Sequence, residues 1–264
     1  LRLCSWSGVW LMSNAKKMLL SAAGNLKKTV DITQVFSTFL YVGTGDEAQK
    51  TIVNGVDLAG EGGLVWTKSR TNTQSNTLGD SESGLQYYLH TNSTVGHTDA
   101  VTAYYNAFNN NGYTIGNSEA TTNELNSLNQ NFVSWTFRKA KQFFDIVTYT
   151  GNGVAGREIA HSLDSVPGMI IVKRTDDAQS WVVYHRGLNN GSSPEDYGII
   201  LNTTAGQSNQ SLYWNDTAPT DTNFTLGSAG SVNGDGRTYV AYVFAHHNND
   251  GEFGPDADKD VIKC

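Results

Sequence analysis

Any chemistry this chain performs must come from a small set of carboxylates, histidines and aromatic rings. Glycoside hydrolysis needs two carboxyl groups at a fixed separation. Glu61 stands in a glycine turn, Glu158 beside Arg157, and the Glu195-Asp196 pair in a proline-containing loop. Each reads as a solvated surface carboxylate rather than half of a catalytic pair. Neither a Gly-x-Ser-x-Gly elbow nor a His-Glu-x-x-His string occurs. His185 and the pair His246-His247 remain. The pair follows a strand pattern, where adjacent side chains point to opposite faces, so a shared metal is not expected. These residues predict a protein that is not an enzyme.

Binding is the chemistry left. An aromatic face packs on the C–H face of a sugar while nearby amides bond its hydroxyls. Trp181, Tyr184, Tyr213 and Trp214 are the candidates. Tyr213-Trp214-Asn-Asp216 lies in a polar stretch; the competing reading of these rings is packing in a core or an interface. A calcium site has one candidate, the run Asn248-Asn-Asp-Gly-Glu-Phe-Gly-Pro-Asp-Ala-Asp-Lys-Asp260. Its alternating Asp256, Asp258 and Asp260, with Asp250 and Glu252 before them, could converge on calcium, which takes six to eight oxygens. It lacks the EF-hand pattern, and a solvated acidic linker explains it better. No other cofactor is implied.

The elements that would carry these groups are announced by an internal repeat. Phe36-Ser-Thr-Phe-Leu-Tyr41-Val-Gly43-Thr-Gly45 returns as Phe144-Asp-Ile-Val-Thr-Tyr149-Thr-Gly151-Asn-Gly153, 108 residues later. Gly63-Leu-Val-Trp-Thr-Lys68 returns after 105 residues as Gly168-Met-Ile-Ile-Val-Lys173. Leu85-Gln-Tyr-Tyr-Leu-His-Thr-Asn92 matches Asp196-Tyr-Gly-Ile-Ile-Leu-Asn-Thr203, and Gly112-Tyr-Thr-Ile-Gly116 matches Asn223-Phe-Thr-Leu-Gly227. Asn131-Phe-Val-Ser-Trp-Thr-Phe137 returns after 107 residues as Thr238-Tyr-Val-Ala-Tyr-Val-Phe244. Five blocks in one order at a nearly constant offset define a tandem duplication.

Each block has the pattern of a strand. Val133, Trp135 and Phe137 alternate with Phe132, Ser134 and Thr136, and Val240, Tyr242 and Phe244 keep the same parity. Period two with β-branched and aromatic residues predicts half-buried antiparallel strands, and the shared parity predicts which face is buried. Continuous apolar runs such as Gly-Met-Ile-Ile-Val predict central strands. The expected fold is all-β: two tandem antiparallel β-sandwich domains of jelly-roll type behind a short leader, helical or disordered. The expected bounds are 1–31 for the leader, 32–141 and 142–259 for the repeats, and 260–264 for the start of a third, truncated repeat. Residues 1–11 read either as non-native, with Met12 as the true start, or as a disordered leader.

Composition agrees. The chain has 264 residues, of which 38% are hydrophobic, 11% aromatic and only 16% charged, with 27 Gly against 4 Pro. That is enough apolar matter for a core and too many turn formers for a helical bundle. The net charge of −7 argues against holding nucleic acid by its phosphates. No apolar run is long enough for a membrane helix. The two cysteines, Cys4 and Cys264, do not make a disulfide framework.

Asp57-Leu-Ala-Gly-Glu-Gly-Gly-Leu-Val-Trp-Thr-Lys-Ser-Arg70, Val133-Ser-Trp-Thr-Phe-Arg138 and Val166-Pro-Gly-Met-Ile-Ile-Val-Lys-Arg174 resemble a repeated domain of marine tailed-phage structural proteins. So do Phe144-Asp-Ile-Val-Thr-Tyr-Thr-Gly-Asn-Gly153, Trp181-Val-Val-Tyr-His-Arg186 and Tyr239-Val-Ala-Tyr-Val-Phe-Ala-His246. The resemblance covers nearly the whole chain from Met12. It implies a fold similar to the concanavalin A-like (laminin G-like) jelly roll and a place in the virion, in a tail fibre or other appendage. The implied partners are other virion proteins, host-surface glycan and further copies of the chain, as in a trimer. A purely structural virion role, such as capsid decoration, is the alternative; a polysaccharide-degrading enzyme is the third reading. The resemblance brings no catalytic or binding residues with it.

Overall fold

The computed structural model describes residues 30–45, 49–99, 104–116, 124–249, 253–254 and 259–264. In the first repeat the strands are β1 (Phe36–Val42), β2 (Lys50–Val53), β3 (Gly63–Ser69), β4 (Asn76–Asp80), β5 (Tyr87–His90), β6 (Thr98–Asp99), β7 (Tyr105–Asn109), β8 (Gly112–Ile115) and β9 (Asn131–Arg138). The second has β10 (Phe144–Thr150), β11 (Arg157–Ala160), β12 (Pro167–Arg174), β13 (Val182–His185), β14 (Tyr197–Ile200), β15 (Ser208–Asn209), β16 (Asn223–Leu226) and β17 (Thr238–Ala245). The fold is all-β and antiparallel.

The first large sheet has the order β1-β9-β3-β4-β5-β6, and the second has β10-β17-β12-β13-β14-β15. Position for position this is one topology written twice. A small sheet accompanies each, β2-β8-β7 in the first repeat and β11-β16 in the second. Where the first repeat has β7, the second has the helical turn Ser211–Trp214. Trp214 belongs to the second core, as Tyr105 of β7 belongs to the first.

Three hydrophobic cores separate four layers. One lies between the first large sheet and β2-β8-β7, with Ile52, Val65, Tyr113 and Phe132. Another lies between the second large sheet and β11-β16, with Ile159, Ile170, Phe224 and Tyr239. The third draws on both large sheets: Leu64, Leu78 and Leu89 from one, Ile171, Val183, Tyr242 and Phe244 from the other. The Phe137 and Phe244 rings meet there edge-on, with centroids 5.4 Å apart. The repeats therefore share a central core.

This arrangement corrects the half-buried reading of the last strand. The parity Val240-Tyr242-Phe244 faces the other repeat, and Tyr239-Ala241-Val243 faces the second repeat's own small sheet. Both faces of β17 are covered. The sheet register also moves one block of the repeat. Leu78 pairs with Leu89, and its counterpart Val183 pairs with Ile199. Leu89 therefore corresponds to Ile199, whereas the end-to-end alignment of the two strings would match it with Ile200. In a strand that single step would turn the side chain to the other face.

The Tyr-x-Gly-x-Gly block, the strongest repeat in the sequence, is a corner. Tyr41 stacks on Phe132 at 5.1 Å, and its hydroxyl donates to the Leu125 carbonyl at 2.7 Å. Tyr149 stacks on Tyr239 at 5.1 Å and donates to the Val232 carbonyl at 2.7 Å. The glycine after each tyrosine has no alternative. A Cβ on Gly43 would stand 2.0 Å from the Ser127 oxygen, and one on Gly151 would stand 2.1 Å from that of Gly234. Buried Asn126 and Asn233 complete the corners: each side chain accepts a turn N–H and donates to a turn carbonyl.

Polar contacts fix the two repeats together. The segment after β5 lies on the segment after β12, where the Gln179 N–H donates to the Thr94 carbonyl at 2.8 Å and the His97 N–H to that of Thr175 at 2.8 Å. Lys173 is fully buried, and its ammonium donates to the carbonyls of Thr94, Arg174 and Gln179. Desolvation pulls its pKa down to about 8. Residues 260–264, expected to open another repeat, form no strand here. Val261, Ile262 and Cys264 pack against the central core. Residues 1–29 of the leader lie outside the described residues.

Candidate functional site

A cleft of about 720 Å³ opens at one end of the second repeat. The segment before β12 supplies Asp164, the end of β13 supplies Tyr184 and Arg186, and the turn before β14 supplies Glu195. The segment before β16 gives Asp221, and the chain leaving β17 gives His246 and Asn248. Apart from Tyr184, which lies within β13, these residues sit outside the strands, where side chains of a sandwich can face solvent and still be held by the sheet.

The polar groups are set by their neighbours. Arg186 donates to the Asn248 side-chain oxygen at 3.1 Å, which holds the guanidinium across the cleft wall. His246 accepts from the Cys264 N–H through Nδ1 at 3.1 Å, which leaves Nε2 to carry the proton. Burial, and then the nearby Arg186 charge, hold His246 below the usual imidazole pKa, so it is neutral at neutral pH. Burial pushes the Tyr184 phenol up to about 12, with the Glu195 charge adding to the shift, so its hydroxyl stays protonated. The cleft offers a guanidinium, a neutral imidazole, a phenol, an amide and several carboxylates. That set suits a neutral polyhydroxyl ligand, which needs both donors and acceptors.

The sequence candidates fare differently. Trp181 and Trp214 are buried, at 0% and 2% exposure, so neither offers a free face to a sugar. Trp181 lies under the first repeat, and its indole N–H donates to the His90 and Ser93 carbonyls at 3.2 and 3.0 Å. Trp214 meets Tyr184 edge-on at 5.9 Å within the second core. Their polar neighbours in sequence are loop residues beyond the packed element, and this is why the rings read as exposed. Tyr213 is half-buried against Gly198. Tyr184 is itself buried but borders the cleft, so it is the one sugar candidate the fold brings to a site.

For calcium, Asp256 and Asp258 lie outside the described residues, and Asp260 is ion-paired with Lys263 at 3.5 Å. Among the described residues no three His, Cys, Asp or Glu side chains converge as a metal site. His246 and His247 do point apart: His247 is buried, with its ring nitrogens on the Gln142 carbonyl and the Val261 N–H. Glu61 and Glu158 stand apart from the cleft, beside Arg138 and Asn223 respectively. Arg186, Asp221 and Asn248 were not legible as a group, because they line one cleft only when three chain segments converge. Among the described residues no helix is long and apolar enough to cross a membrane.

Antiparallel sheets packed on one another, with a polar cleft at a loop end, place the molecule among all-β sandwich proteins. The chain belongs to the family described as Domain of unknown function (DUF7483), whose model matches residues 31–255. No curated protein and no solved structure matches it.

Proposed function

We propose that this chain is a non-enzymatic phage virion protein, part of a tail fibre or similar appendage, that touches host-surface glycan. On this reading each repeat is a jelly roll of the concanavalin A-like kind. The observation that supports glycan contact is the cleft at the end of the second repeat. Arg186, His246 and Tyr184 stand ready there as fixed donors and acceptors around a space of about 720 Å³, the size of a short oligosaccharide. One such site binds weakly; an appendage presenting several copies multiplies it through effective concentration. The burial of Trp181 and Trp214 favours the second reading, a purely structural virion protein whose aromatics serve packing alone.

The test is binding of the full chain, displayed on beads, to an array of bacterial and algal glycans. Saturable binding to a defined glycan, reduced at least about tenfold by Arg186→Ala, supports the proposal; an Arg side chain bonded to a ligand contributes on that scale. Absence of binding by the displayed wild-type chain sinks it in favour of the structural role. Release of reducing sugar from any bound polysaccharide would instead make the protein an enzyme.

A further inference from the structure

The duplication supplies an internal control. Leu40 and Val42 of β1 correspond to Thr148 and Thr150 of β10, each pair 108 residues apart and at matching register beside β9 and β17. The fold therefore accepts threonine at these places. In the first repeat they are nonetheless aliphatic and open to solvent, Leu40 at 57% and Val42 at 50% exposure.

Their neighbours on the same face are mixed: Val133 and Trp135 are apolar, while Thr38, Asn131 and Lys68 are polar. Across β9, Leu40 pairs with Val133 and Thr38 with Trp135; across β3, Trp135 pairs with Trp66. Trp66, Trp135 and Phe137 form the walls of a hollow of about 310 Å³. The counterparts of Trp66 and Trp135 in the second repeat are Ile171 and Tyr242, and both are buried under the first repeat. So this face of the second sheet is covered by another such sheet. The same face of the first sheet is bare at this end, and it runs without a break into the central core, where Trp66 and Phe137 already pack. Leu40 and Val42 stay exposed there, and among the described residues β1 is the edge strand of its sheet.

We propose that a second copy of this chain occupies this face, so that β1, β3 and β9 of two copies meet about a two-fold axis. An isologous contact places the same patch on both sides, and Leu40 of each copy can enter the Trp66–Trp135 hollow of the other. A glycan fits less well, because the hollow exposes only apolar surface and so offers nothing to its hydroxyls. The proposal is independent of the cleft and of the virion reading.

The test is sedimentation equilibrium of the full chain, wild type against the double variant Leu40→Thr/Val42→Thr. That variant copies the second repeat and should fold, checked by circular dichroism and melting temperature. The expected result is a wild-type dimer whose dissociation constant rises by at least about tenfold in the variant, since four aliphatic side chains lose buried area together. A wild-type monomer up to about 100 µM (well above the dissociation constants of specific dimers) overturns the proposal. It would leave the leader or another protein as the occupant, the leader if acrylamide quenching shows the tryptophans shielded in the monomer. A dimer unchanged by the substitutions, or a trimer, overturns it as well.

Discussion

Removing the Tyr242 hydroxyl should expose how the two repeats are locked together. Asp80 is 1% exposed, and its carboxylate accepts from the Glu82 N–H at 3.0 Å, the Ser83 N–H at 2.7 Å, the Ser83 hydroxyl at 2.9 Å and the Tyr242 hydroxyl at 2.8 Å. The first three come from its own turn; the fourth crosses the central core. Desolvation holds the carboxyl above its usual value of 3.8, against the lowering effect of these donors. Tyr242→Phe takes away a donor to a buried charged acceptor and leaves no route for water to replace it, a loss of about 1.5–3 kcal/mol. For a chain of this length that is roughly a 3–10 °C fall in Tm.

The pH dependence follows from the raised pKa. The folded state keeps a proton on Asp80 that the unfolded chain has already released. The stability from that protonated form is fully present below the unfolded value of 3.8 and is lost as pH rises through the folded value. The cost of Tyr242→Phe should therefore be larger above the folded value, where the carboxylate is charged, than below it. It should shrink toward the ~1 kcal/mol of a neutral hydrogen bond in acid. Asp80→Asn removes the buried charge while its oxygen can still accept the two N–H groups, and its NH2 can donate to the two hydroxyls. In that background Tyr242→Phe should cost less, so the double-mutant cycle yields a coupling of about 1 kcal/mol or more. Urea unfolding of the four proteins at pH 7 and pH 4 measures all of this. A Tyr242→Phe effect below about 0.5 kcal/mol at pH 7, the size of an ordinary surface change, would refute the reasoning.

Gly43→Ala and Gly151→Ala should each destabilise by about 2 kcal/mol or more, because the new Cβ meets a backbone oxygen that cannot rotate away. Gly206→Ala, whose Cβ has open space, should be neutral or stabilising by up to about 1 kcal/mol; equal losses at all three positions in urea titrations would contradict the corner geometry. His97 stacks on Tyr87 at 4.8 Å in the seam between the repeats. Burial, then the Lys173 charge, lower its pKa from 6.5 to about 4. Its neutral form contributes stability that is present above pH 6.5 and lost as pH falls through 4, roughly 1–2 kcal/mol once solvent at the ring is allowed for. His97→Phe should flatten that part of the stability profile, and a variant with the wild-type slope between pH 6.5 and 4 would assign the slope to other groups.

Local patterns carried the strands well. Alternation placed Val133, Trp135 and Phe137 on one face, and the registers of β9 and β17 keep the two copies in phase. What alternation could not convey is that the other face is also covered, because a residue such as Ala241 or Ser134 reads as polar-tolerant whether it meets water or a second sheet. Asn126 and Asn233 show the converse. Their 107-residue spacing was visible in the sequence, but an asparagine in a turn region reads as solvent-facing until both corner bonds are seen. Trp181 and Trp214 misled for a related reason: indole burial depends on which distant segment lies overhead. For Trp181 that segment is in the other repeat, about 90 residues away. The cleft was least legible, since its polar residues share no spacing.

The shared central core explains why one family model spans both copies. Leu78 and Leu89 of the first repeat are buried at 2% and 1% exposure against residues of the second, which in turn hides Tyr242 and Phe244 beneath the first. Separating the copies would bare two large apolar faces, each built from several side chains worth about 1.5–3 kcal/mol of burial. It would also strand the Lys173 ammonium and the Asp80 carboxylate without their partners across the seam. Stability of the pair therefore requires apolar residues at the facing positions of both copies. It makes no such demand of Leu40 and Val42, which lie beyond the seam, where the second copy carries threonine. Differences between copies that the common fold does not demand are where outward-facing roles can be read. By that criterion Leu40 and Val42, aliphatic and exposed where the second copy carries threonine, are the positions at which the proposed contact between copies is to be tested.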